Sequence, residues 1–292
     1  MKVLKGTGVA LATPFDENGE VDYAAFSGLI ETYIQAGIDY IVVLGTTAET
    51  ATLSIAEKQK IAQYIVTLVN GRLPLVYGLG GNNTQALVDE LATTDFTGYC
   101  AILSVCPYYN RPNQRGIYLH YSAIAKAAPL PVILYNVPSR TGVSIANSTT
   151  LALAKDHTNI IGIKDATGDL TMGKELIAQT PENFLVLSGD DATAFHLTLA
   201  GGDGVISVIG GALPEAFGRL IRYGFDGEKE KGEALLQKFL PLISLLFEEG
   251  NPTGLKALLH QQNAIENQLR LPLVTTSEQL YERILIAAQN ID

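Results

Sequence analysis

The chain has 292 residues, and its 30 acidic against 20 basic side chains give a formal net charge of −10 at pH 7. That balance argues against nucleic acid or an anionic membrane surface as a partner, because both recruit clustered Lys and Arg. With 47% hydrophobic and 17% charged residues, the chain is composed to bury a core and is no disordered tail.

Apolar runs such as 40–44 fall far short of the about 20 residues that cross a bilayer. Gly6-Thr7-Gly8 and then Asp16-Glu17 interrupt what a secretory leader would keep apolar. The two cysteines, Cys100 and Cys106, read as small buried thiols in a reducing compartment. The four histidines (His120, His157, His196 and His260) are scattered. A cytoplasmic protein with no metal, no cofactor, no membrane and no nucleic acid is therefore expected.

In chain order, a first strand is predicted at 9–12. Asp22 then caps a helix whose apolar positions are Phe26, Leu29, Ile30, Tyr33 and Ile34, closed by Gly37. A second strand follows at 40–44. Ser54 with Glu57 forms a capping box ahead of Ile61, Ile65 and Leu68, and Gly71 closes that helix. Further strands are predicted at 75–77, 101–105, 132–135, 160–164, 184–187 and 205–208. Short continuous apolar strands alternating with helices mean parallel pairing with both sheet faces covered. Eight such units predict an α/β fold, a (β/α)8 TIM barrel over residues 1–225, close to the about 250 residues typical of that architecture. Residues 226–292, with helical stretches at 226–250 and 277–289, read as a C-terminal helical extension. A doubly wound open sheet is the structural alternative, but no G-x-G-x-x-G follows the first strand and no P-loop lysine is present.

In such a barrel, chemistry gathers at the C-terminal ends of the strands. Those ends are rich in hydroxyls and hold one lysine, Lys164, closing Asn159-Ile-Ile-Gly-Ile-Lys164. Strand alternation puts Ile160, Gly162 and Lys164 on one face, with Gly162 leaving room beside the lysine stem. Burial disfavours the charged form of an amine, and a neutral amine attacks carbonyls. The competing reading pairs Lys164 with Asp165 or Asp190. Imine chemistry needs proton transfers, and Tyr135, Tyr109, Thr46 and Thr47 could relay them, since hydroxyls both donate and accept. Arg140 could hold a carboxylate bidentately at the mouth, or pair with a surface acid. Asp190 and Asp191 offer only a weak metal site.

Gly45-Thr-Thr-Ala-Glu49, Pro107-Tyr-Tyr-Asn-Arg-Pro112, Tyr135-Asn-Val-Pro-Ser-Arg-Thr-Gly142, Gly162-Ile-Lys-Asp-Ala-Thr-Gly168 and Gly204-Val-Ile-Ser-Val208 together resemble the signature segments of the dihydrodipicolinate synthase family. These enzymes are pyruvate-dependent class I aldolases and lyases. The likeness continues more loosely through Asn251-Pro-Thr-Gly-Leu-Lys256. It implies that Lys164 forms a Schiff base with pyruvate. Tyr135 would pass protons, with Thr46 and Tyr109 completing a relay and Tyr109 reaching into a neighbouring subunit's site. Thr47 would hold the pyruvate carboxylate, Gly189 and Ile206 would line the pocket through their backbone, and Arg140 would receive the carboxylate of L-aspartate 4-semialdehyde. The implied reaction is an aldol-type addition followed by cyclisation, leading into diaminopimelate and lysine synthesis. The implied assembly is a homotetramer, a dimer of dimers.

Three departures stand out. Ala48 replaces the family's usual glycine, a disfavoured change if that residue has positive φ. Gly254 replaces a common proline. At the positions where lysine-inhibited members place two histidines and a glutamate, this chain has Ile55, Lys58 and Ala86, while Asn82 and Tyr108 are kept; weak or absent lysine inhibition is expected. The alternatives are a sister lyase acting on sialic acid or a 2-keto-3-deoxy sugar acid, a catalytically silent keto-acid-binding barrel, and a metal-dependent aldolase.

Overall fold

The structure is a computed structural model describing residues 2–291. Eight parallel strands close into a barrel: β1 (Gly6–Ala10), β2 (Tyr40–Val43), β3 (Leu75–Leu79), β4 (Ala101–Val105), β5 (Val132–Asn136), β6 (Ile160–Asp165), β7 (Leu185–Ser188) and β8 (Gly204–Ser207), with β8 pairing back onto β1. Helices follow in turn: α1 (Tyr23–Gln35), α2 (Ile55–Val69), α3 (Thr84–Thr93), α4 (Gln114–Ala127), α5 (Pro138–Thr141), α6 (Asn147–Asp156), α7 (Leu170–Gln179), α8 (Ala194–Leu199) and α9 (Pro214–Phe225). Then come α10 (Lys229–Glu248), α11 (Thr253–Gln261) and α12 (Glu278–Ala288). The TIM barrel expected from the alternating pattern is thus the fold. No helix among the described residues is long and apolar enough to cross a membrane.

The caps sit where the sequence places them. The Asp22 carboxylate accepts from the backbone N–H groups of Ala24 and Ala25, and the Ser54–Glu57 capping box closes in both directions. Two apolar layers result. One packs strands against helices, as Ile41 and Val43 do with Phe26, Ile30 and Ile65; the other fills the barrel interior with Ala10, Tyr40, Val42, Leu103, Tyr135 and Ile206.

Four local expectations need correction. β1 starts at Gly6, not at residue 9. The Tyr40 ring crosses the barrel beside Gly8, 2.2 Å from where a Cβ would stand, and its hydroxyl donates to the Val205 carbonyl at 3.1 Å. In β6 the register shifts against β5, so that Val132 faces Ile160 while Ile133 faces Gly162. The extra residue breaks the alternation: Ile161 joins the interior layer, and Ile160 packs outward, away from the Lys164 face. Cys106 is buried, its thiol pushed up to about 12 by desolvation, but Cys100 is exposed. Finally, α10 and α12 lie inside the predicted helical stretches, whereas α11 was not anticipated. Residues 253–259 are all buried, Thr253 and Lys256 among them, so the helix has no alternation of apolar and exposed polar faces to show in the sequence. Gly254 has a packing reason: a Cβ there would stand 2.4 Å from the Leu246 carbonyl oxygen of α10.

Candidate active site

A cavity of about 470 Å³ opens at the C-terminal ends of the strands, lined among others by Thr46, Thr47, Tyr135, Arg140, Lys164 and Gly189. Lys164 and Tyr135 face each other across the β5–β6 pairing, and the lysine Nζ lies 4.3 Å from the centroid of the Tyr135 ring. Lys164 is 5% exposed and Tyr135 7%. No ion pair of Lys164 occurs among the described residues. The two acids that might have claimed it are otherwise engaged. Asp165 accepts from Asn136 Nδ2 at 2.8 Å and Thr167 Oγ1 at 2.6 Å, and burial raises its pKa. Asp190 accepts from the backbone N–H and the hydroxyl of Thr193. A buried amine with no carboxylate to neutralise it is available to a carbonyl ligand.

Space for that amine comes from Gly189 rather than from Gly162. A Cβ on Gly189 would stand 2.7 Å from Lys164 Cε, whereas a Cβ on Gly162 would meet Leu185 of β7.

Thr46 and Thr47 sit in a short 3-10 turn, Thr46–Ala48, after β2. Ala48 carries no positive φ; the left-handed residue is Glu49, with φ 55°. The methyl at Ala48 therefore brings no left-handed strain, and it is buried in the turn. Thr47 Oγ1 accepts a hydrogen bond from Asn251 Nδ2 at 3.1 Å, and the Asn251 carbonyl accepts one from Arg140 Nη2 at 2.9 Å. Asn251, from the segment between α10 and α11, thus ties together the two residues expected to hold carboxylates. In the sequence Asn251 stands only within the loosely matching Asn251-Pro-Thr-Gly-Leu-Lys256 segment, with nothing local to mark this role. Arg140 makes no ion pair with the protein among the described residues, so its guanidinium retains donors for an anionic ligand.

Two expected residues do not line this cavity. Ile206 is fully buried in the interior layer, and Val208, two residues on, takes its place at the wall. Tyr109 is 90% exposed with φ 72°, a conformation costly for a bulky residue and one that packing among the described residues does not repay. A second cavity of about 370 Å³ adjoins the first, sharing Thr46, Val137, Arg140 and Asn251 and adding Lys58 and Tyr108. Among the described residues, no group of three or more His, Cys, Asp and Glu is placed to hold a metal. Asp191 spends Oδ2 on the N–H groups of Val208 and Ile209, and burial pushes its carboxyl up to about 6.

Residues 3–290 match the Dihydrodipicolinate synthetase family. The chain belongs to that family. It is 50% identical over 281 residues to the 4-hydroxy-tetrahydrodipicolinate synthase of Parabacteroides distasonis, covering 96% of this chain and 95% of that one. With the same enzyme of Azobacteroides pseudotrichonymphae it shares 51% identity over 282 residues, covering 97% and 95%. The solved structure of the chloride-inhibited dihydrodipicolinate synthase from Acinetobacter baumannii, in complex with pyruvate, superposes with a TM-score of 0.95 at 40% identity and 99% coverage of both chains. In this chain Lys164 stands near the C-terminal end of β6, Tyr135 beside it on β5, and Thr46 and Thr47 in the turn after β2.

Proposed function

We propose that this chain is a Schiff-base-forming lyase that condenses pyruvate with L-aspartate 4-semialdehyde, a 4-hydroxy-tetrahydrodipicolinate synthase like the relatives it matches. The observation that carries the reading is Lys164: buried, unpaired by any acid among the described residues, and set over the Tyr135 ring in the wall of a cavity. Its amine attacks the ketone carbon of pyruvate, and the resulting carbinolamine loses one water to give the imine. Tyr135 is placed to protonate the departing hydroxyl and then to help remove a methyl proton, producing the enamine. Thr47 directs its hydroxyl proton to the pyruvate carboxylate while accepting from Asn251. The enamine carbon adds to the aldehyde of the second substrate, whose carboxylate Arg140 receives. The substrate's own amine then attacks the imine carbon, closing the ring and releasing Lys164. The net reaction consumes both substrates and yields one cyclic product and one water.

Tyr109 enters this reading from outside the protomer. A strained, exposed tyrosine beside the cavities suits a relay role in the site of a neighbouring copy, so the working enzyme is a homo-oligomer, a dimer of dimers, in the cytoplasm. Residues 1–225 form the catalytic barrel and residues 226–292 the extension that reaches back over its mouth. L-lysine is a weak inhibitor or none, since exposed Ile55 and Ala86 offer an effector's ammonium no carboxylate and Lys58 repels it. Inhibition at submillimolar lysine contradicts this.

An acceptor panel tests the assignment. With pyruvate as donor, the chain should turn over L-aspartate 4-semialdehyde and leave N-acetylmannosamine and glyceraldehyde untouched. Turnover of a sugar aldehyde alone would keep Lys164 but remove the role given to Arg140.

A further inference from the structure

Beneath the Thr46–Thr47 turn lies an ion pair with no solvent exposure on either side. Glu49 Oε1 and Lys256 Nζ are 2.5 Å apart, and both side chains are 0% exposed. Lys256 comes from α11, and its Nζ also donates to the Gln268 carbonyl at 2.8 Å and lies 4.1 Å from the centroid of the Phe15 ring. The other carboxylate oxygen of Glu49 accepts from the Arg270 backbone N–H at 3.1 Å. Glu49 is also the residue whose left-handed backbone ends the turn: its N–H donates to the Thr46 carbonyl at 3.1 Å, and its own carbonyl accepts from the Thr52 N–H at 3.0 Å. One residue therefore carries the turn's kink through its backbone and, through its side chain, an anchorage to two positions of the extension, Lys256 and Arg270.

Stability alone does not explain the arrangement. Desolvating two charges offsets most of their attraction, and well-packed apolar replacements of buried pairs are often as stable or more so. A non-glycine residue at positive φ is strained and persists where its surroundings over-determine it. A directional, fully buried pair supplies that determination where an apolar contact would allow the turn to slide.

We propose that Glu49 and Lys256 are positioning residues for the reaction: they lock the Thr46–Thr47 turn so that its hydroxyls meet the pyruvate carboxylate, making the C-terminal extension part of the keto-acid site. This rests on the pyruvate-binding reading given above and names the device that sets its selectivity. The pair touches no substrate itself; it acts through the two threonines. Its signature is consequently a loss of preference for a keto acid over a plain ketone, with the amine chemistry of Lys164 intact.

The test uses borohydride trapping on the full-length protein with pyruvate and with acetone, which offers the same ketone without a carboxylate. The double variant Glu49→Gln/Lys256→Met removes both charges together, leaving no unpaired ion while keeping an acceptor for the Arg270 N–H. The expected result is a folded protein that traps acetone as the wild type does, but whose preference for pyruvate over acetone falls tenfold or more. The conservative Lys256→Arg should recover part of that preference. A folded double variant with wild-type preference overturns the proposal. Hydrogen exchange on the wild type provides a reading independent of the variant: segment 45–52 should be as protected before pyruvate is added as the barrel strands are, and free exchange there also overturns it. A wild-type chain that traps neither ketone would instead refute the Schiff-base reading itself.

Discussion

Adding a single methyl group at Gly189 should disable the lysine while leaving the barrel standing. The Cβ of Gly189→Ala would stand 2.7 Å from Lys164 Cε, 3.0 Å from Lys164 Cγ and 2.8 Å from Ala166 Cβ. Ordinary carbon contacts lie at about 3.5–4.0 Å, so the lysine stem must retreat by roughly 0.8–1.3 Å. The Lys164 side chain can yield because it is long and flexible, whereas Ala166 is fixed to the backbone. Because Ala166 cannot yield, overpacking should cost toward the upper end of about 1–3 kcal/mol, a drop of several degrees in thermal midpoint. The amine, by contrast, moves out of line with the ketone. A misplacement of about 1 Å commonly costs about 10²-fold in rate, equivalent to about 2.7 kcal/mol of barrel-held orientation. Steady-state kinetics with pyruvate and the semialdehyde, alongside a thermal melt, separate the two effects. A folded variant with unchanged kcat/KM would refute the claim that Gly189 makes room for the reacting amine.

Tyr135→Phe keeps the ring beneath the Lys164 amine and removes only the hydroxyl; kcat should fall by about 10²–10⁴-fold with the melt unchanged, as read from steady-state rates. Arg140→Ala removes a charged donor worth about 1.5–3 kcal/mol, so KM for the semialdehyde should rise by about one to two orders of magnitude, while the rate of pyruvate trapping stays as it was. His120 sets a pH dependence of stability. Burial pushes its imidazole down to about 4, so between its unfolded value near 6.5 and that point the unfolded chain binds more protons than the folded one. Stability should therefore be intact above about pH 6.5 and fall by up to about 3 kcal/mol as pH drops to about 4. Denaturant midpoints across that window should flatten in His120→Asn, and an identical slope in the variant would remove His120 as the cause.

The barrel was legible because its strands are buried on both faces and so read as unbroken apolar runs, while Asp22 and the Ser54–Glu57 box mark helix starts by local hydrogen bonding. Lys164 was legible for the converse reason, as a charge closing an otherwise apolar strand. What stayed hidden depends on three dimensions. The bulge in β6 is a property of its pairing with β5 and leaves no local composition cue. Helix α11 lost its periodic signal because it is surrounded by protein on every side. Asn251 lies 204 positions from the Thr47 hydroxyl it supports, and the Glu49–Lys256 pair spans a comparable stretch of chain. Spacing rules reach along one helix or strand and cannot find such partners. The glycine that accommodates the lysine was also misassigned, since Gly162 is its neighbour in sequence and Gly189 its neighbour across the β6–β7 edge.

The central claim is that Lys164 is the nucleophile toward pyruvate. Incubation with pyruvate followed by borohydride reduction, proteolysis and peptide mass mapping addresses it directly. The account predicts one reduced pyruvyl adduct per chain, on Lys164, and none in Lys164→Ala, whose melt should still show a folded barrel. An adduct on another lysine, or one that survives in Lys164→Ala, would contradict it.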